Sequence, residues 1–156
     1  MTIVIEQAHA DDIPAVLTLL EESELPVEGL DALLGAMLVA RKDQGVVGSA
    51  ALELYGEVAL LRSVAVAPSL RGQQLGKRLV EAALDLARLH NIEIVYLLTE
   101  TAQSFFPRFG FRPIPRSEVS PVLHQSIEWT TACPATAQVM ITKLASQGEK
   151  IYATPS

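Results

Sequence analysis

The chain has 156 residues, 49% of them hydrophobic and 19% charged, and its formal net charge is -6. That balance describes one folded domain able to bury a sizeable core, and it excludes a disordered chain. No basic run exceeds two residues, which argues against nucleic acid as the main partner, because phosphate backbones require clustered Lys and Arg.

The single cysteine, Cys133, excludes an intrachain disulfide and fits a reducing compartment. Standing before Pro134, it is expected to be a small buried hydrophobe. His9, His90 and His124 show no metal-ligand spacing with one another or with Cys133, so no metal is expected. The opening MTIVIEQAHADD lacks the basic start and cleavage site of a signal peptide. No apolar run approaches the ~20 residues that span a bilayer. A cytoplasmic protein with no membrane partner is the expectation.

In chain order, the alternation of 2–6 reads as a first strand. A helix opens near Asp11, with Pro14 in its first turn and Ile13, Val16, Leu17 and Leu20 at helical spacing. Glu24–Pro26 breaks it, and Glu28–Leu34 reads as a second short helix. Ala36–Arg41 and Val46–Tyr55 are strands joined by the turn residues Lys42–Gly45. Gly56 and Glu57 turn the chain into a long apolar strand, Val58–Ala67, which stops at Pro68. A helix is expected over 74–90, with Leu75, Leu79, Ala82, Ala83, Leu86 and Leu89 on one face. Glu93–Leu98 is a strand, and Thr101–Phe109 a short helix closed by Gly110. An extended piece starts at Phe111. Pro121 and Pro134 point to loops around a short helix in 117–135, and Ala137–Leu144 is the last strand. The pattern is one α+β domain, residues 1–146, around a mixed, largely antiparallel sheet, with 147–156 as a tail.

"SLRGQQLGKRLVEAAL", Ser69–Leu84, joins a glycine-bearing loop to the long helix. It is not a nucleotide phosphate loop: Gly72 and Gly76 have three residues between them, and Arg78 stands where a magnesium-binding hydroxyl belongs. Nor does it contain the G-x-G-x-x-G of a dinucleotide fold. A loop gripping a diphosphate with main-chain amides at a helix N-terminus fits it. Arg71, Lys77 and Arg78 add positive charge there. A plain helix start with a solvated basic rim fits as well.

The longer string "VAVAPSLRGQQLGKRLVEAAL" resembles the acetyl-CoA site of the GNAT superfamily of N-acetyltransferases, whose loop reads Gln/Arg-x-x-Gly-x-Gly/Ala. Arg71 and Gly76 match its first and last positions, and Gln74 replaces the middle glycine. Downstream, "AQSFFPRFGF" is similar to the family helix that ends in Gly-Phe beside the cofactor thiol. The resemblance implies a GNAT-like fold and acetyl-CoA as cosubstrate. Backbone groups of Val64 and Val66 would pair with the pantetheine arm. The amides of Arg71, Gly72, Gln73, Gln74, Leu75, Gly76 and Lys77 would hold the pyrophosphate. A homodimer is compatible with the family. "LELYGEVALLRSVAVAP", "YLLTETAQSFFPRFGF" and "CPATAQVM" are closer still to a branch labelled arsenic-resistance N-acetyltransferases.

Acetyl transfer needs a neutral amine. An α-amine of pKa ~7.7–8.0 is partly neutral near pH 7, whereas a lysine-type amine of pKa ~10.4 is almost wholly protonated. Glu53 and Tyr55 share a strand face, and Arg62 is expected on the face of Val58, Leu60, Val64 and Val66. Glu53 is the candidate base, and Arg62 its partner or a clamp for a substrate carboxylate. A structural Glu–Arg pair fits the same spacing. Where the family places a thiol-protonating Tyr, this chain has Phe106. Ser104, Thr99 and Tyr55 are the nearby hydroxyls, and none is assigned the role. Trp129 and His124 are expected to pack under a loop. Arg41, Arg62 and Arg112 are candidate carboxylate or oxyanion partners, although a surface or structural place is the commoner one for each arginine. The expected function is N-acetylation of a small primary amine, an amino-acid-like toxin being one acceptor. Acetylation of a protein lysine or N-terminus, or a non-catalytic acyl-CoA sensor, are the alternatives.

Overall fold

Alternating apolar residues with β-branched neighbours favour strands wherever glycine-bearing turns interrupt them, and the first half of the chain is written that way. The computed structural model of the protein describes residues 2–72, 74–132 and 136–144. Gln73, Cys133 and the proposed tail lie outside the described residues. The strands are β1 (Val4–Gln7), β2 (Met37–Lys42), β3 (Gly45–Tyr55), β4 (Val58–Val66), β5 (Ile94–Thr99), β6 (Arg112–Ile114) and β7 (Gln138–Lys143). They form one sheet in the order β1-β2-β3-β4-β5-β7-β6. All neighbours are antiparallel except β4 and β5.

Two helices cover the sheet. α1 (Ile13–Glu22) enters through a 3-10 turn, Ala10–Asp12, and carries Pro14 at its start, where a missing N–H costs nothing. α2 (Leu75–Leu89) packs on β2, β3 and β4. Its buried stripe runs through Leu79, Val80, Ala83, Leu84 and Ala87, whereas Leu89 is exposed. The expected stripe was therefore rotated by about one residue. α2 lies close to the sheet at Gly48, where a Cβ would stand 2.7 Å from Leu79 Cδ1.

The cores on the two faces differ in what covers them. Beneath α2, Ala59, Leu61, Leu97 and Met140 meet the helix. On the opposite face, α1 packs against Val39, Ala51 and Ala65. Beside it, Val119 and Leu123 of the 116–132 segment cover Leu60, Tyr96 and Ile141.

Two expected helices are tighter than the sequence implied. Instead of 28–34, a 3-10 stretch occupies Leu30–Ala36, after Gly29 in a left-handed conformation. Instead of 101–109, only Phe106–Phe109 is helical, again 3-10. Pro107 has no N–H to give and its ring crowds the preceding turn, so an α-helix does not propagate through this piece.

Candidate active site

β4 is the strand on which the site is built. Its parallel pairing with β5 covers only Val58–Leu60 against Ile94–Tyr96. Both strands continue past that point, and they do so without pairing, which opens a cleft between them. On the other side of β4, the ladder with β3 pairs Ser49 with Ala65 and Ala51 with Arg62. Ser63 and Val64 therefore oppose Ala50 alone, a β-bulge that puts one extra residue into β4. Ser63 sits at φ 60, a conformation that disfavours an L-residue. It is held by a 2.7 Å bond from Ser49 Oγ to its carbonyl and a 3.2 Å bond from Arg62 Nε to its hydroxyl.

The bulge corrects the expected facing of Arg62. Period-two alternation would put Arg62 beside Val64 and Val66. The extra residue flips the strand instead, so Val64 and Val66 pack on the α2 side and Arg62 points to the face covered by the 116–132 segment.

On the α2 side, Val64, Val66, Arg71, Gly72, Gln74, Gly76 and Lys77 line one cavity of about 1000 Å³. The Leu75 side chain is buried in the core, which leaves its amide toward the loop. No side chain caps α2, and the first-turn amides of a helix have no intrahelical partners. Gln74, at the helix boundary, adopts φ 67, and Gly72 adopts φ 82. The left-handed turn at 74 explains why glycine is favoured there and what glutamine must tolerate. A Cβ on Gly76 would meet only Phe105 at 3.5 Å and Val66 at 3.8 Å. No protein atom demands glycine at 76; the space belongs to whatever fills the cavity. Arg71 ties the loop down, donating to the Val66 carbonyl and to Ser23 Oγ, both at 3.2 Å. The far wall is Ala102, Ser104, Phe105, Phe106 and Arg108. Phe106 is buried there with its ring edge-on to Phe105 and Phe111.

A second cavity, of about 890 Å³, lies on the other side of β4 and shares Val64, Ala65, Val66, Arg71, Ala102 and Phe106 with the first. Arg62, Glu28 and Glu128 line it. Here three acidic or basic side chains are buried together: Arg62 is 3%, Glu128 4% and Glu53 8% exposed. Arg62 donates through NH1 to Glu53 Oε2 at 2.8 Å and through NH2 to the Glu28 carbonyl at 2.8 Å. Its Nε lies 3.2 Å from Glu128 Oε2. Tyr55 donates to the other Glu53 oxygen at 2.6 Å. Burial, reinforced by this bond to Glu53, pushes the Tyr55 hydroxyl up to about 12.

The structure thus brings Glu53, Tyr55 and Arg62 together, as strand periodicity implied, and adds Glu128, which sequence reading missed. Each Arg62 nitrogen has a protein acceptor, which argues for the partner role over the free carboxylate clamp. Glu53 lies behind Arg62 and lines neither cavity. Arg41 is bound to Glu6 and Asp12 at the sheet edge, and the Arg41 guanidinium holds the Asp12 carboxyl below its ordinary range. Arg112 is exposed on β6. Neither lines either of these two cavities. Thr99 Oγ1 accepts from the Ala102 amide at 3.0 Å in the turn that leaves β5. Trp129 stacks on His124 and lies under Arg116. Among the described residues, no group of three or more His, Cys, Asp or Glu is arranged to hold a metal ion. No helix there is long and apolar enough to cross a membrane.

Residues 34–113 match the model of the acetyltransferase (GNAT) domain. Over 128 residues the chain is 30% identical to an amino-acid acetyltransferase of Mycobacterium tuberculosis, covering 75% of this chain and 72% of that relative. The chain belongs to the GNAT acetyltransferase family. It is an N-acetyltransferase with acetyl-CoA as its donor. The fold is that of N-acetylglutamate synthase from Neisseria gonorrhoeae, solved with coenzyme A and N-acetyl-glutamate, at TM-score 0.80 and 22% identity over 93% of this chain. This chain spans only 36% of the synthase. Rv2747 from Mycobacterium tuberculosis, solved with CoA, has the same fold at TM-score 0.76 and 24% identity, covering 91% of this chain and 99% of that one.

Proposed function

We propose that this GNAT enzyme transfers the acetyl group of acetyl-CoA to the primary amine of a small, amino-acid-like molecule. One observation carries the reading: two cavities meet at Val64 and Phe106, one ending at the 71–77 loop and the other at Arg62 and Glu128. The first suits a diphosphate-bearing donor, because uncapped helix amides and Arg71 and Lys77 surround it. The second suits a polar acceptor. The relative named for amino-acid acetylation supports the acceptor class.

In this reading the pyrophosphate lies on the amides of 71–77, and the pantetheine arm runs along Val64 and Val66 into the β4–β5 cleft. The Val64 amide, at the bulge, stabilises the oxyanion of the tetrahedral intermediate. Glu53 and Arg62 polarise the acceptor side. Phe106 borders both cavities without a hydroxyl to give, and a thiolate of pKa ~8.5 is a tolerable leaving group near neutrality. An arsenic- or phosphorus-containing glutamate mimic is one acceptor within the class; that link rests on the sequence resemblance alone.

A thiol-release assay with mass detection of acetylated product tests this. The panel is L-glutamate, L-glutamine, L-arginine, glycinamide, an arsenic-containing glutamate analogue and a lysine-bearing peptide. Turnover on small amines is expected. Turnover on the peptide alone would replace the reading with protein acetylation. Acetyl-CoA hydrolysis without any acetylated product would remove it.

A further inference from the structure

Resting on the small-amine reading, we infer that Glu128 is the residue that takes the acceptor's proton, and that Glu53 is a positioning residue acting through Arg62. Two carboxylates flank one guanidinium, and they are not equivalent. Glu128 lines the acceptor cavity together with Val64, whereas Glu53 does not. Glu53 is held away from that cavity by Tyr55 on one oxygen and Arg62 on the other, so the difference between the two carboxylates is one of place, not of occupancy. An incoming ammonium on the acceptor side of Val64 meets Glu128 before it can meet Glu53.

The backbone around Glu128 is built to present it. Residues Glu128–Ala132 form a π-helical turn, a rare geometry found frequently at functional sites. Ser126 anchors that turn: its hydroxyl accepts from the Glu128 amide at 3.1 Å, and its carbonyl accepts from Thr130 N and Oγ1 at 3.0 Å each. Gly29, at φ 75, brings the 24–29 loop over both Ile127 and Arg62. The carboxylate is thus fixed from below by Arg62 and from behind by its own turn.

The proton balance closes. The acceptor ammonium gives one proton to the Glu128 carboxylate, and the freed lone pair attacks the acetyl carbonyl carbon. The C–N bond forms, the tetrahedral adduct collapses and the C–S bond breaks. The second nitrogen proton ends on the departing thiolate as the thiol. Glu128 returns its proton to solvent through the cavity.

Glu128→Gln tests the assignment, with L-glutamate and glycinamide as acceptors. At pH 6.5 its kcat/KM is expected to fall about 100-fold. It then recovers roughly tenfold per pH unit as free amine replaces ammonium, to within about tenfold of wild type near pH 9. Coenzyme A affinity by calorimetry stays within about twofold. Glu53→Gln lowers kcat without producing that steep dependence on pH. An equal loss at pH 6.5 and pH 9, or no loss at either, overturns the assignment. Should Glu128→Gln fail to fold, Glu128→Asp is expected to keep the wild-type pH profile at a reduced kcat, and an unchanged kcat overturns it. A wild-type protein inert toward the whole panel fails the small-amine reading itself, a result distinct from any difference between variants.

Discussion

The donor side and the acceptor side of this site are built by opposite means. The donor side is proposed on residues that are neighbours in sequence, with Arg71, Gly72 and Gln74 exposed and Gly72 and Gln74 in left-handed conformations. The acceptor group is made of side chains from β3, β4 and the 116–132 segment, nearly all of it out of water. Backbone amides recognise a charge pattern shared by every coenzyme A ester, so the first site is generic. A buried guanidinium between two carboxylates is specific, and it is costly to disturb.

That contrast can be broken from the acceptor side first. Arg62→Met leaves Glu53 and Glu128 facing one another without a counter-charge, and loss of about 3–5 kcal/mol of stability is expected from urea unfolding. A loss below about 1 kcal/mol would show that the pair is not desolvated as the structure has it. On the donor side, Gly76→Val places a branched side chain in the cavity, its Cβ in ordinary contact with Phe105 at 3.5 Å and Val66 at 3.8 Å. Coenzyme A affinity by calorimetry should fall at least about tenfold, ~1.4 kcal/mol, while Tm stays nearly unchanged. Unaltered affinity would displace the cofactor from this cavity.

Tyr55 sharpens the comparison through pH. Its folded-state pKa is raised, to about 12, so the unfolded chain loses the proton first as pH climbs past ~10. The native state then binds more protons than the unfolded state, and stability falls with rising pH between about 10 and 12. Tyr55→Phe should lower stability near neutrality by about 1 kcal/mol, through the lost bond to Glu53. It should also flatten that alkaline decline, as followed by unfolding at several pH values; parallel curves for the two proteins would contradict it. The smallest effect belongs to Gln74→Gly. Relief of the left-handed strain, offset by glycine's greater freedom when unfolded, should raise stability by roughly 0.5 kcal/mol or less. Differential scanning calorimetry would register this, and a lower Tm would mean that the Gln74 side chain holds the loop.

The legibility of the two sides follows from the same contrast. Strands β2 to β5 were readable as apolar runs bounded by turn residues, and helix α2 by its helical apolar spacing. The 71–77 residues could be singled out as a proposed donor loop because they are neighbours in sequence. The bulge was not, because "LLRSVAV" is apolar on both faces and a slipped alternation leaves no mark in it. Glu128 was hidden for another reason. It stands in a proline-bounded segment without periodicity, and only tertiary packing brings it to Arg62. The short helices expected over 28–34 and 101–109 overlap the 3-10 stretches at 30–36 and 106–109 but not their bounds, since side-chain pattern does not distinguish three-residue from 3.6-residue turns over so few positions.

The extra residue in β4 has a mechanical consequence. Because Arg62 and Val64 stand two positions apart on either side of it, one strand forms the partition between two chambers and furnishes a fixture to each. Among the described residues, by contrast, the 116–132 segment meets the partition through side chains, Glu128 on Arg62 and Val119 and Leu123 beside Leu60. It can be exchanged to suit a different amine while the machinery that grips the donor keeps its dimensions.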